Sequence, residues 1–314
     1  MKSISIGSSK LVSSRLAYGC WRIAGTWEPS EVTSDSVKSG IKAVLSAYEA
    51  GYTLFDHADI YCHGVAEDVF GKALKQVTGM REKILIATKC GIRFPGEPWS
   101  DSPQRYDFSK QHIIDSCEGS LKRLGIETID LYQLHRPDFL ADPDEVAAAF
   151  AQLRDTGKVR EFGVSNFRPS LLSALQKACP MALVVNQIEI SLARLAPFED
   201  GTLDQCLENK MTPLAWSPLG GGVLGLHENN APPGHKHHVS LNLQETIQAI
   251  SEARGTSRSV IALSWLLKHP SKIIPIVGSA NPKRIQEATQ ADDLELTRDE
   301  WYRLLIAARG ERLP

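Results

Sequence analysis

What this chain has little of narrows its class before any motif is read. Its six cysteines, Cys20, Cys62, Cys90, Cys117, Cys179 and Cys206, are scattered through 314 residues with no CxxC pair. A disulfide-framed scaffold is thereby excluded, and reduced thiols in a cytoplasm are expected. Cys62 beside Tyr61 and Cys90 beside Lys89 read as small filler residues. Charge of one sign is also scarce: 35 basic residues against 37 acidic ones leave a net charge of -2. Neither nucleic acid nor an anionic membrane is expected as a partner. No run of 18 apolar residues occurs, and the opening MKSISIGSSKLVSS lacks the apolar core of a secretory signal. No linker-like break in composition appears, so residues 1–314 are expected to form a single domain.

What is present is alternation. Short apolar runs occur at Leu16–Gly19, Thr53–Phe55, Ile84–Thr88, Asp130–Leu134, Glu161–Val164, Leu183–Gln187, Pro213–Trp216 and Ile273–Val277. Helical patterns lie between them, at about Ser36–Ala50, Ala66–Gln76, Gln111–Leu124, Pro143–Thr156, Pro169–Ala178, Leu203–Asn209, Leu243–Arg254 with Val260–Lys268, and Pro282–Gln290. A last helix is expected at about Arg298–Ala308. Strands that alternate with helices become parallel strands joined by right-handed crossovers. Eight such units favour a closed (β/α)8 TIM barrel over an open sheet. Ser3–Ile6 and Lys10–Val12 read as an N-terminal β-hairpin that plugs the barrel floor. Asp35, Ser109 and Asn281 are expected to cap helices, and Gly51 and Gly125 to end them in a left-handed residue. Long loops are expected at Cys90–Ser109 and Gly220–Leu241.

In such a barrel the chemistry lies at the carboxyl ends of the strands. The polar residues there are Asp56 and Tyr61, Lys89, His135, Ser165 and Asn166, Gln187, and Trp216 with Ser217. A phenol is a poor acid at neutral pH, but a nearby ammonium stabilises its phenolate. An aspartate keeps that ammonium charged and in place, and a histidine fixes the angle of a carbonyl oxygen. Such a set gives a proton to a carbonyl as hydride reaches its carbon. Each residue alone is more often structural; four at successive strand ends are a device.

These residues lie in motifs that follow one another in order: FDHADIYCHGVAEDVFGKAL, ATKCG, DLYQLHRPD, GKVREFGVSNF, NQIEIS, AWSPLGGGVLG and IPIVGSANPKRIQEA. Over nearly its whole length the chain resembles the aldo-keto reductases, and in particular a bacterial NADP(H)-dependent branch with DHADIY and LHRPD. The resemblance implies a catalytic tetrad of Asp56, Tyr61, Lys89 and His135. It implies that Ser165, Asn166 and Gln187 bind the nicotinamide carboxamide and that Trp216 stacks on the ring. Ser217, Leu219 and Gly220 would follow the cofactor toward its pyrophosphate, under a flap formed by the glycines and LHENNAPPGHKHH. Gly278, Ser279 and Arg284 would hold the adenosine end. Arg284 beside a helix N-terminus suits a 2′-phosphate, so NADPH is the expected cofactor. Gly278 stands where many NADP-preferring relatives carry lysine, which weakens the expected preference over NADH.

Two motifs are read as coincidences. Gly220–Gly225 fits GxGxxG but leads into a loop, not a helix. Tyr106 and Lys110 have YxxxK spacing but are separated by an expected loop and cap. His235, His237 and His238 sit in a Pro/Gly/Asn-rich stretch without an acidic residue at ligand spacing, so no metal is expected. Trp21 is the expected substrate contact. Trp27, Phe94, Trp99, Tyr106 and Arg136 are further candidates for the pocket wall. The short segment after the last helix suggests an open pocket for small aldehydes and ketones. The expected function is NADPH-dependent carbonyl reduction by a monomer. The alternative is a nucleotide-holding regulatory or redox-sensing subunit with little turnover.

Overall fold

Runs such as LVVNQIE and LIATKC are buried at nearly every position, as befits strands covered on both faces. The structure, a computed structural model, describes residues 1–225 and 239–313. Strands β3 (Ala17–Gly19), β4 (Leu54–Asp56), β5 (Leu85–Cys90), β8 (Ile129–Leu134), β9 (Val159–Ser165), β10 (Leu183–Glu189), β11 (Thr212–Trp216) and β12 (Ile274–Val277) pair in parallel in that order. β12 pairs back onto β3 and closes the barrel. Helices α1 (Ser34–Glu49), α2 (Val65–Leu74), α3 (Lys110–Leu124), α4 (Pro143–Asp155), α5 (Pro169–Ala178), α6 (Thr202–Glu208), α7 (Leu241–Arg254), α8 (Arg258–Leu267) and α9 (Pro282–Ala288) form the outer layer. The expected (β/α)8 TIM barrel is what the chain forms.

Period-two alternation divides each strand between two cores. Leu54, Ala87, Leu131, Val185, Leu214, Ile274 and Ile276 point inward and pack with Ile6 and Leu11. The opposite faces of the strands meet the helices in three further clusters. Ile6 and Leu11 come from the N-terminal hairpin, β1 (Ser3–Ser5) with β2 (Val12–Ser14), which therefore seals the floor as expected. Its second arm lies two residues later than the sequence suggested. At the tip, Gly7 has a φ of +54°, and a Cβ there would strike the Val184 carbonyl. The C-terminal helix α10 (Arg298–Arg309) docks through Trp301, which stacks on Trp265 of α8 with ring centroids 5.1 Å apart. Each indole N–H donates to the other residue's carbonyl, at 3.0–3.1 Å.

The helix caps require two corrections. Thr33, not Asp35, caps α1: its hydroxyl accepts from Ser36 N while the Ser36 hydroxyl answers the Thr33 N–H. Asp35 lies in the first turn and pairs with Lys38 at 3.2 Å. Ser109 occupies the cap position of α3 but makes no cap bond, because its hydroxyl donates to Asp107. Asn281 caps α9 through Lys283 N as expected, and Gly51 and Gly125 are left-handed. The stretch after strand three is not wholly loop. It contains a small antiparallel hairpin, β6 (Ile92–Arg93) with β7 (Arg105–Tyr106). Tyr106 is thus in a strand and Lys110 in a helix, which removes the YxxxK reading. Gly220, Gly221 and Gly222 all have positive φ inside a short 3-10 segment, so they open no α-helix. The three-histidine stretch and the remainder of the expected flap lie outside the described residues.

Candidate active site

The same alternation that fills the barrel interior builds the site. Two positions beyond each inward apolar residue, the chain places a polar or aromatic one on the same face: Asp56 after Leu54, Lys89 after Ala87, Gln187 after Val185, Trp216 after Leu214. The polar groups therefore sit together on an apolar column. Lys89 is fully buried. Its Nζ lies 2.8 Å from both Asp56 carboxylate oxygens and donates to the His57 carbonyl at 2.6 Å. The Tyr61 phenol stands beside the ammonium, which lies 5.2 Å from the phenol ring centre. Gln187 Nε2 donates to Asp56 Oδ1 at 2.8 Å. The His135 ring meets the Tyr61 ring edge-on at 6.0 Å.

Burial opposes the charge on Lys89, but Asp56 and the phenol outweigh it, and its pKa lies above the ordinary lysine value. For Tyr61 burial is the largest influence and raises the pKa; Lys89 pulls it down but does not win. The expected pull of the lysine on the phenol is present, and burial outweighs it. Tyr61 is fully protonated at neutral pH, which a proton donor requires. Burial, then Lys89 and Arg136, holds His135 well below the usual histidine range, so its ring is neutral. Its Nδ1 is buried without a partner.

On the far side of the mouth, Asn166 has a left-handed backbone (φ +63°). That conformation turns its amide toward β11, where Trp216 Nε1 donates to Asn166 Oδ1 at 2.9 Å. Asn166 Nδ2 in turn donates to Ser165 Oγ at 2.8 Å. Ser165, Asn166, Gln187 and Trp216 thus form one connected polar and aromatic shelf beside the tetrad residues. The Arg136 guanidinium lies over the Trp216 ring, 5.3 Å from its centre. Ser217 is also left-handed (φ +50°), and Leu219 and Gly220 follow it in a tight turn. Gly278 follows β12 and lies against Trp21: a Cβ there would lie 2.9 Å from the indole nitrogen. Ser279 and the exposed Arg284 stand at the start of α9.

Trp21 and Trp27 are both substantially exposed and meet edge-on at 6.2 Å, and Trp27 lies 6.1 Å from the Tyr61 ring. They make an aromatic rim that leads to the phenol. Phe94 stacks on His63 at 3.8 Å, which ties the β6–β7 hairpin to the Tyr61 loop. Trp99 is 71% exposed. The sequence reading missed the layer behind the tetrad. His57, Asp59, Glu67 and Arg123 lie there, and no spacing rule links Glu67 to Arg123, 56 residues away. DHADIY carried two of them in plain view.

A scan of protein families matches residues 15–308 to the Aldo/keto reductase family. The 6-dehydroglucose reductase of Novosphingobium aromaticivorans is 39% identical over 315 residues, covering 98% of this chain and 96% of that protein. The 6-dehydroglucose reductase of Agrobacterium fabrum is also 39% identical, with 98% of each chain covered. Among solved structures, the glycerol dehydrogenase of Gluconobacter oxydans superposes with a TM-score of 0.85 at 25% identity, covering 99% of this chain and 97% of that one.

Proposed function

Since this chain belongs to the aldo/keto reductase family, we propose that it reduces an aldehyde or ketone to an alcohol with NADPH, Tyr61 being the proton donor. The observation that carries this reading is the assembled cluster of buried Asp56 and Lys89 with the half-buried Tyr61, next to a neutral His135. When bound, the reduced nicotinamide supplies hydride to the carbonyl carbon. The protein's own groups handle the oxygen. His135, neutral, has one N–H to donate to it and so sets its angle. Tyr61 gives its proton as negative charge grows there, and Lys89 makes the resulting phenolate tolerable. Asp56 keeps the ammonium charged and centred. Without this salt bridge the buried cation would carry the full desolvation penalty.

The shelf fits the cofactor. Ser165, Asn166 and Gln187 offer amide and hydroxyl groups to a carboxamide, and the Asn166-anchored Trp216 offers a flat face for a ring. Ser217, Leu219 and Gly220 line the way to Gly278, Ser279 and Arg284, where Arg284 would pair with a 2′-phosphate. The whole arrangement works as one barrel domain. A complete tetrad favours turnover over mere nucleotide holding. Relatives named 6-dehydroglucose reductase make a sugar aldehyde the first carbonyl to try, with Trp21 and Trp27 offering apolar faces to it.

Replacing Tyr61 with phenylalanine tests the proposal. Turnover is expected to fall by about 10²–10⁴-fold, the usual worth of a general acid. Affinity for NADPH, read from Trp216 fluorescence, stays the same. Full turnover in Tyr61→Phe would overturn the assignment.

A further inference from the structure

The barrel closes where β12 pairs with β3, Ile276 beside Ala17 and Val277 beside Tyr18. One step further along both strands, at the mouth, this register sets Gly278 beside Gly19. Neither position needs glycine for its backbone. Gly19 is extended, with φ −89° and ψ 120°, and Gly278 is not among the left-handed glycines. What both positions lack is room. A Cβ on Gly19 would lie 2.8 Å from Ile276 Cγ2. A Cβ on Gly278 would lie 2.9 Å from Trp21 Nε1 and 3.5 Å from Trp21 Cδ1. Among the described residues, and apart from its chain neighbours, it would meet nothing else within 4 Å. The shorter distance is well inside the separation of about 3.5–4.0 Å at which side-chain atoms attract. The seam of the barrel thus ends in a notch without side chains, and the pyrrole edge of the Trp21 indole lies in it.

The other neighbours of this indole lead toward the chemistry. The Arg22 guanidinium lies over the Trp21 ring, 4.4 Å from its centre. Trp27 meets it edge-on at 6.2 Å and itself stands 6.1 Å from the Tyr61 ring. Trp21 is 40% exposed, so no core fixes its rotamer, and these few contacts have to. The same seam also carries the segment read above as the adenosine end of the cofactor site. Tyr18 of β3 donates its hydroxyl proton to the Ser279 carbonyl at 3.1 Å. Gly278 therefore borders both halves of the site: Ser279 follows it in the chain, and the indole lies against it.

We propose that Gly278 is a positioning residue for substrate choice: its missing side chain seats Trp21, and the seated indole is the wall against which a ring-bearing carbonyl substrate packs. This rests on the reading of the barrel mouth as a carbonyl-reducing site with Trp21 on its rim. A side chain at position 278 moves the indole off the seam, because the indole is the exposed and movable partner of the contact. The wall then shifts, and ring-bearing substrates lose the surface they pack on. A three-carbon aldehyde offers little surface to the rim and loses little.

The test is a double-mutant cycle on selectivity, taken as kcat/KM for benzaldehyde divided by kcat/KM for propanal at saturating NADPH. A disturbed cofactor acts on both aldehydes alike and cancels in that ratio. Gly278→Ala is expected to lower the ratio about threefold and Gly278→Val about tenfold, on the scale at which apolar pockets discriminate. In a Trp21→Ala background both substitutions should change the ratio by less than about twofold, because no indole is left to displace. An unchanged ratio in the single variants overturns the proposal. So does a fall of the same size in the Trp21→Ala background, which routes the effect through the backbone. If Gly278→Val does not fold, the same comparison with Gly278→Ala decides. A second readout needs no turnover. The Trp21 emission, taken as the difference between each protein and its Trp21→Phe counterpart, should be quenched more strongly by acrylamide once a side chain at 278 lifts the indole from the seam. Unaltered quenching overturns the seat itself. A parent inactive on every aldehyde defeats the carbonyl-reductase reading instead, and with it the role in substrate choice, while the quenching still decides whether Gly278 seats the indole.

Discussion

At the floor of the barrel Asp130 is completely buried, and every side of it is answered: Ile86 N–H at 2.8 Å, Arg160 at 2.9 Å and Arg81 at 3.0 Å. Ser14 and Thr53 likewise exchange side-chain-to-backbone hydrogen bonds at 2.7 and 3.0 Å. At the mouth the pattern is reversed. Both His57 ring nitrogens, Asp59 Oδ1 and His135 Nδ1 are buried without partners. Cys62, His63, Asn166 and Ser217 hold left-handed backbones there, whereas at the floor Lys210 and Lys272 do so only in connecting turns with exposed side chains. Satisfied polar groups and an apolar seal stabilise a fold; unsatisfied ones and strained turns mark where a ligand is to be met. One end of the barrel is built for stability and the other for chemistry.

Mutations at the two ends should therefore separate activity from stability. Tyr61→Phe, the largest effect on rate, should leave the unfolding free energy within about 0.5 kcal/mol of the parent, because phenylalanine keeps the packed ring and only the hydroxyl is lost. A strong loss of stability there would blur the division. Asp130→Ala at the floor should do the opposite. It costs about 3 kcal/mol of stability by breaking a buried charge network and leaving Ile86 N–H unpaired. Its kcat per folded molecule should match the parent's, as measured by denaturant titration and active-site counting.

His57 sharpens the comparison from the mouth side. Its ring packs edge-on against Phe70 at 4.5 Å, and burial followed by the Lys89 charge lowers its pKa to about 3. A histidine depressed in the native state is protonated first in the unfolded chain, so stability is lost as pH falls below about 6.5. At pH 5 this amounts to roughly 2 kcal/mol, from about 1.4 kcal/mol per pH unit. His57→Leu should remove that loss and leave turnover alone, since Lys89 uses only the His57 backbone carbonyl. Melting at pH 5 and pH 7.5 decides it: an undiminished acid loss in the variant would place the sensitivity elsewhere. The smallest effect is at the rim. Arg284→Ala should weaken NADPH binding by about tenfold, one charge-assisted pair, and leave NADH binding unchanged. Equal weakening of both would remove Arg284 from the 2′-phosphate.

Much of this was legible in the chain. Lys89, Asp56 and His135 announce themselves as polar residues at the ends of apolar runs, because period-two alternation fixes which face each occupies. Asn281-Pro282 was equally plain, a local signal read locally. Asp35 was misjudged as a cap because Thr33 and Asp35 are both acceptable residues there, and only the hydrogen bonds choose between them. The β6–β7 hairpin had no apolar alternation to reveal it. The pairing of Glu67 with Arg123 lies across two helices and a strand, and nothing in their sequence separation foretells it.

By itself, then, the sequence determined the barrel, its floor plug and the identity of the groups at its mouth, since strand periodicity and turn residues act over a few positions. Tertiary structure alone decided how those groups behave. Whether burial or a neighbouring ammonium governs the Tyr61 proton, and whether Glu67 meets Arg123, depends on desolvation and on distances between segments far apart in the chain. Those two quantities exist only once the barrel has closed.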